Sequence, residues 1–214
     1  MDAIVESLEN AIQITVLLLC MILAFVRMHS VREKSWLLLM SFYGSFLLGD
    51  LYWQVCLFCL GTIPEVSIVS DLSWYASYLF LFLLLCIPGK QKGSVAGIPA
   101  DSKMRLIPYL APVFTGAMAV FYMGSGKIIT NIVYAALMGL LLFTASKGLL
   151  QRKEGSFRPL YRAVFVFCLL EYALWTASCF WEYTACRYLY FCIDLCITMC
   201  FPRFFRIVRE ELQP

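Results

Sequence analysis

Seven apolar stretches joined by short polar segments constrain what this chain can fold into. They cover residues 9–27, 35–60, 70–88, 106–123, 128–147, 160–181 and 188–202. Each is about the length of a helix that crosses a bilayer, and 62% of the 214 residues are hydrophobic. We therefore predict an all-α fold, with residues 1–214 forming a single integral membrane domain built as a polytopic seven-helix transmembrane bundle.

The basic residues lie in alternate gaps between these stretches. Of the 17 Lys and Arg residues, 15 fall in the first, third and fifth gaps, within three residues of them, or after the last stretch, and only Lys127 and Arg187 do not. Lys and Arg accumulate on the cytoplasmic side of membrane proteins. The pattern predicts a multi-pass protein of the plasma membrane with its N-terminus outside and its C-terminus in the cytoplasm. Lipids are its expected surroundings, and no basic patch suggests nucleic acid.

The spacing of the acidic residues hints at an internal repeat. Asp71 follows Asp50 by 21 residues, and Asp194 follows Glu171 by 23 residues. With residues 89–103 as a linker, this pattern fits two parallel three-helix units joined by the fourth helix, a 3+1+3 arrangement known from transporter folds. The alternative is a coincidental spacing of a few acids.

These four acids are the most informative residues chemically. An ionised side chain near the bilayer centre costs about 2.5–3.5 kcal/mol, and no Lys or Arg lies in the body of a predicted span to offset it. We expect the acids to share a polar cavity that opens outward. The alternative is that each one hydrogen-bonds a neighbouring helix.

Helical spacing gives each acid aromatic and polar neighbours. Ring faces attract cations, so the set predicts a site for a small cationic or amphipathic ligand. Aromatic belts at the membrane interfaces could explain the Trp and Tyr residues instead. The predicted ligand-binding residues are Asp50, Trp53, Gln54, Asp71, Tyr75, Tyr78, Glu171, Trp175, Ser178, Tyr190 and Asp194.

Other chemistries find little support in the sequence. The ten cysteines are scattered through the apolar stretches and the single histidine, His29, lies among basic residues, so we predict no catalytic residue, metal site or cofactor. Cys59, Cys179 and Cys186, near the predicted outer face, are the candidates for a disulfide.

Small residues and prolines predict local packing. Ser41, Ser45 and Gly49 recur every four residues, a pattern that lets two helices approach closely. Pro202 is expected to close the last span. Residues 203–209 then form either a basic amphipathic segment on the inner leaflet or a frayed tail.

Residues 49–82 carry a series of motifs that suggests a family. A Gly-Asp pair and a Trp late in one helix are followed by a Gly-x-x-Pro turn, a Ser and an Asp before the next helix, and Tyr-x-x-Tyr-Leu. The series resembles the multispanning membrane sensor regions that precede bacterial diguanylate cyclase domains. The matching residues are Gly49, Asp50, Trp53, Gly61, Pro64, Ser67, Asp71, Tyr75, Tyr78 and Leu79.

The resemblance implies a sensor function, and three hypotheses follow. No cyclase domain appears before Pro214, so the resemblance implies a stand-alone sensor-like or receptor-like module that signals to a cytoplasmic protein partner. The alternative is a proton- or cation-coupled transporter of small molecules. The third is an intramembrane lipid-modifying hydrolase, although no nucleophile and base are paired in the sequence, and we therefore favour a protein that is not an enzyme.

Overall fold

The computed structural model describes residues 2–61, 68–87, 102–125, 128–151 and 157–212, and among them it contains seven helices. These are α1 Asp2–Val31, α2 Lys34–Leu60, α3 Ile68–Cys86, α4 Ser102–Tyr122, α5 Ile128–Gln151, α6 Arg158–Cys179 and α7 Thr184–Leu212. The all-α prediction is confirmed. Pro64 and Ser67 of the predicted turn, and residues 89–101 of the predicted linker, lie outside the described residues.

Five of the helices are long and apolar enough to cross a membrane: α1, α2, α3, α5 and α6. In α4, residues Pro108–Tyr122 form a shorter apolar helix. The last helix, α7, joins an apolar first half to a charged end that contains Arg203, Arg206 and Arg209. By length and composition, the chain is therefore a helical membrane protein.

Six of the helices form a closed ring, and α4 lies outside it. In order around the ring, α1 packs on α2, α2 on α3, α3 on α5, α5 on α6, α6 on α7, and α7 on α1. α4 packs on α5 and also reaches α6, where the Tyr122 hydroxyl donates to the Tyr172 carbonyl oxygen at 3.0 Å. The interior of the ring is thus bounded by six helices.

The first helix shows that this ring is polar inside and apolar outside. Glu9 and Gln13 point inward and are 6% and 3% exposed, whereas Leu8 and Ile12 on the opposite face are 61% and 51% exposed. A helix on the surface of a soluble protein has the reverse distribution. Lipid around the ring would cover the exposed leucine and isoleucine side chains, which agrees with the hydropathy of the helix.

An aromatic layer fills the middle of the ring. Its six members come from α2, α3, α6 and α7, and none is more than 6% exposed. Neighbouring rings contact one another at centroid distances of 5.1–6.4 Å, mostly edge to face, a geometry that adds to the packing energy. The members of this aromatic layer are Phe42, Phe46, Tyr78, Phe167, Phe201 and Phe204.

Two helix boundaries differ from the sequence-based prediction by seven residues or more, and the others by at most four. α1 begins at Asp2 rather than near residue 9, and α7 continues through Pro202 to Leu212. Proline removes one backbone hydrogen bond from a helix, but Phe204 and Val208 beyond it are 0% and 1% exposed within the bundle. Their packing outweighs that loss, so this segment lies against the bundle instead of forming a separate amphipathic segment or a frayed tail.

Candidate functional site

A cavity of about 410 Å³ lies inside the ring. We call it the acidic cavity, and the end of the bundle that contains it the cavity end. At the cavity end, α1, α3, α5 and α7 begin and α2, α4 and α6 end. We call the opposite end, which carries Arg27, Arg32 and Lys147, the basic end. The cavity is lined by Glu6, Glu9, Asn10, Gln13, Phe46, Asp50, Trp53, Asp71, Trp74, Tyr78, Ser125, Thr130, Asn131, Glu171, Leu174, Trp175, Ser178, Cys179, Tyr190 and Asp194.

The structure brings the four acids singled out from the sequence to this one cavity. Of the other residues in the predicted site, five also line it and two do not. Those that line it are Trp53, Tyr78, Trp175, Ser178 and Tyr190. Acidic side chains therefore reach the cavity from α1, α2, α3, α6 and α7, and none of the lining residues is Lys, Arg or His.

Gln54 and Tyr75, the two predicted residues outside the lining, connect the helices that form its walls. The Gln54 amide donates to the Ser7 hydroxyl at 2.7 Å, which joins α2 to α1. The Tyr75 hydroxyl donates to the Thr130 carbonyl oxygen at 3.0 Å, which joins α3 to α5. Both side chains thus support the cavity from outside it.

Burial of the acids increases with depth in the cavity. Glu6 and Asp71, near the ends of their helices, are partly exposed. Asp50 and Glu171 are only 2% and 4% exposed. Below them, Phe46 and Tyr78 of the aromatic layer line the cavity as its floor. The site is therefore a pocket with a polar mouth, acidic walls and an aromatic floor.

Three of the deep carboxyl groups accept a hydrogen bond from a neutral donor on another helix. Trp74 Nε1 donates to Asp50 Oδ1 at 3.0 Å, and the Tyr78 hydroxyl donates to Glu171 Oε2 at 3.1 Å. Gln13 Nε2 donates to Asp194 Oδ1 and to Thr198 Oγ1, both at 3.0 Å. These bonds link α3 to α2, α3 to α6, and α1 to α7, and they orient the acids within the cavity.

Other carboxyl oxygens in the walls have no donor. Glu9 Oε1, Asp50 Oδ2 and Glu171 Oε1 are buried and lack any hydrogen-bond partner. A buried acceptor left without a donor typically costs about 1–3 kcal/mol. In native proteins such groups are few, and each calls for an explanation.

A close helix contact places the tryptophans of the α2–α3 wall. A Cβ added to Gly49 would lie 2.6 Å from Trp74 Nε1, so only glycine at this position lets the indole reach Asp50. Trp53 packs near Trp74 with ring centroids 6.0 Å apart, and its Nε1 donates to Glu6 Oε1 at 3.0 Å. Of the predicted small residues, Gly49 therefore makes the close approach, while Ser41 and Ser45 line a separate apolar groove.

The opposite wall also has a fixed aromatic surface. Trp175 stacks on Tyr134 with ring centroids 4.4 Å apart and an interplanar angle of 17°. Tyr190 packs edge to face on Trp181 at 5.3 Å. Rings held in this way keep their faces and edges in place without a ligand, which lowers the entropy cost of binding one.

Several lining residues were not predicted from the sequence. Glu6, Glu9, Asn10 and Gln13 follow the spacing i, i+3, i+4 and i+7, which is one face of a helix. That spacing could have revealed them, but the first apolar stretch was placed from residue 9, which left Glu6 outside it and Glu9 at its edge. Trp74, Thr130 and Asn131 have no comparable signal in the sequence.

The geometry favours a distributed site over a metal centre. Within the described ranges, no group of three or more His, Cys, Asp or Glu side chains is placed to hold a metal ion. Cys59, Cys179 and Cys186, the disulfide candidates, are free thiols. Acidic walls with aromatic faces are suited to bind a positively charged organic molecule.

No protein family, curated protein or solved structure matches this chain.

Proposed function

We propose that the protein is a sensor-like or receptor-like membrane module that binds a small organic cation in the acidic cavity. The observation that carries this proposal is that six lining residues are acidic and none is basic. In a low-dielectric interior such an unbalanced set attracts positive charge strongly. A volume of about 410 Å³ also lies within the usual range of small-molecule sites.

The aromatic layer supports binding without transport. Phe42, Phe167, Phe201 and Phe204 are 0% exposed and lie between the cavity floor and the basic end of the ring. A ligand in the cavity is therefore separated from the basic end by close-packed rings. A receptor needs access from one side only, and it can signal through a shift of helices to a protein partner at the basic end.

Proton- or cation-coupled transport of small molecules is the second candidate, and the order of helices in the ring favours it. α1, α2 and α3 follow one another in the ring just as α5, α6 and α7 do, and α4 lies outside. Asp50 on α2 and Glu171 on α6 thus occupy matching helices of the two triplets. Two such units could rock against each other if the aromatic layer opened, which is how transporters with internal repeats work.

Ligand-dependent stabilisation tests the receptor proposal. We expect 2-phenylethylammonium, but not the uncharged 2-phenylethanol, to raise the unfolding temperature of the purified protein in nanodiscs, because only the cation offsets the acidic walls. A ligand at 100 times its Kd stabilises a protein by about 2.7 kcal/mol. Asp50→Asn and Glu171→Gln should each weaken binding about tenfold or more, which corresponds to about 1.4 kcal/mol.

Glu182→Gln is the matched control for these two variants. Glu182 is exposed in the turn between α6 and α7 and does not line the cavity, so its variant should bind like the wild type. Equal stabilisation by the alcohol and the cation, or equal loss of binding in all three variants, would contradict the proposal. Accumulation of 2-phenylethylammonium in proteoliposomes would favour the transporter instead.

We further propose that the cavity end faces outward and the basic end faces the cytoplasm of a multi-pass plasma-membrane protein. Among the described residues, Arg187 is the basic residue at the cavity end, whereas Arg27, Arg32 and Lys147 are among those at the basic end. The asymmetry of Lys and Arg is what sets the orientation of such proteins.

Thiol labelling of intact cells tests this orientation. Cys59 is exposed at the cavity end and Cys86 is exposed at the basic end. A membrane-impermeant maleimide should label Cys59 in intact cells, and the Cys59→Ser variant should lose that labelling. Cys86 should react only after the membrane is permeabilised. The reverse pattern would place the cavity on the cytoplasmic side.

A further inference from the structure

We infer that the charged group of the ligand carries N–H donors, as a primary ammonium or a guanidinium does, and that it binds between α1, α2 and α6. This inference rests on the proposed binding of an organic cation and narrows the class of cation. Positive charge alone would suit a quaternary ammonium equally well. The hydrogen bonds within the acidic cavity distinguish the two.

Three unpartnered oxygens carry the inference. Glu9 Oε1, Asp50 Oδ2 and Glu171 Oε1 have no hydrogen-bond partner, and their residues are 6%, 2% and 4% exposed. All three residues line the cavity. The cavity therefore presents buried acceptors that lack donors.

The donors that hydrogen-bond the deep acids are already committed to other atoms. Trp74 Nε1 and the Tyr78 hydroxyl donate to the second oxygens of Asp50 and Glu171. Gln13 Nε2 donates to both Asp194 and Thr198, which uses both hydrogens of its amide group. No donor of the described residues lies within hydrogen-bond distance of the remaining oxygens, so a ligand with N–H groups can supply the donors they lack.

The chemistry of these acceptors separates three kinds of cation. A quaternary ammonium supplies charge, but its methyl groups donate no conventional hydrogen bond and leave the carboxyl oxygens unsatisfied. A metal ion needs ligands that meet at one point, and the described acids form no such group. A primary ammonium has three N–H donors and a guanidinium has five, and both point in several directions, as acceptors on three helices require.

Stepwise methylation of one probe tests the inference on the wild-type protein. The four probes are 2-phenylethylammonium and its N-methyl, N,N-dimethyl and N,N,N-trimethyl derivatives, which all carry one positive charge at neutral pH. We expect affinity in nanodiscs, measured by calorimetry, to fall with each N–H removed. The trimethyl compound should bind at least about tenfold more weakly than the primary amine.

The possible outcomes separate this inference from the proposal on which it rests. If the four compounds bind equally and all more tightly than 2-phenylethanol, the inference that the ligand carries N–H donors is wrong, whereas the proposal that the cavity binds an organic cation is supported. If no amine binds more tightly than the alcohol, both fail. A trimethyl compound that binds most tightly of the four would also overturn the inference.

A variant of Asp50 tests whether the N–H groups of the ligand bond to this carboxyl group. Asp50→Asn keeps the shape of the side chain but replaces one of its two carboxyl oxygens by an NH2 group. The difference in affinity between the primary and trimethyl compounds should therefore shrink at least about threefold, roughly 0.65 kcal/mol on the scale of 1.4 kcal/mol per tenfold. Glu182→Gln, outside the cavity, should leave the difference unchanged. An undiminished difference in Asp50→Asn would exclude Asp50 as an acceptor for the ligand.

Discussion

Phe42→Ala is expected to destabilise the protein by about 3–5 kcal/mol, the usual cost of truncating a buried phenylalanine. Phe42 is 0% exposed, and its ring packs on Phe46, Phe167, Phe201 and Phe204 at centroid distances of 5.8–6.2 Å. These contacts join α2 to α6 and α7 across the interior. In a membrane protein the loss comes chiefly from missing packing contacts, because lipid is itself apolar.

Thermal or denaturant-induced unfolding in a mild detergent measures this loss. Phe58→Ala is the control on the same helix, because Phe58 is 86% exposed and its truncation should change stability by less than about 0.5 kcal/mol. Phe42→Leu should fall between the two. Similar destabilisation by Phe42→Ala and Phe58→Ala would show that the aromatic layer does not stabilise the bundle.

Gly49→Ala has the second large expected effect, because it acts on both stability and binding. The new Cβ would lie 2.6 Å from Trp74 Nε1, so the indole has to move away from Asp50. Overpacking of this kind costs about 1–3 kcal/mol. Displacement of Trp74 also breaks its 3.0 Å hydrogen bond to Asp50, and we expect affinity for 2-phenylethylammonium to fall about tenfold.

Gly44→Ala is a matched control one turn and a half earlier in α2. A Cβ at Gly44 would meet only the flexible Met21 side chain, at 3.4 Å from its sulfur. This variant should unfold and bind the cation nearly as the wild type does. If Gly44→Ala and Gly49→Ala behave alike, the close approach of Trp74 to Gly49 does not shape the cavity.

The helical architecture could be predicted from the sequence because its main determinants are local. Apolar stretches of bilayer length predict where helices form. The bodies of the helices follow these stretches closely, as in α2, which was predicted over 35–60 and runs over Lys34–Leu60. Boundaries were less predictable where polar or proline residues lie inside the bundle. α7 passes Pro202 because later residues pack in the core, which no local rule anticipates.

The lining of the cavity could be predicted only in part, because it depends on the rotation of each helix. When a helix is apolar on most of its surface, the sequence does not say which side faces inward. Gln54 lies one turn after Asp50, yet its amide bonds to Ser7 on α1. Trp53 lies three residues after Asp50, but its indole bonds to Glu6, and the indole that reaches the aspartate is that of Trp74. Only the contacts between helices settle such choices.

The contact between α1 and α7 has a consequence for how the protein is made. Gln13 on α1 bonds to Asp194, which lies 181 residues later in the chain. At a synthesis rate of about 5–20 residues per second, α1 is made about 9–36 s before this partner is translated. During that interval the polar side chains of α1 have to be hydrogen-bonded by water at the membrane surface or held by the insertion machinery. The α1–α7 wall of the acidic cavity can therefore form only after Asp194 has been translated.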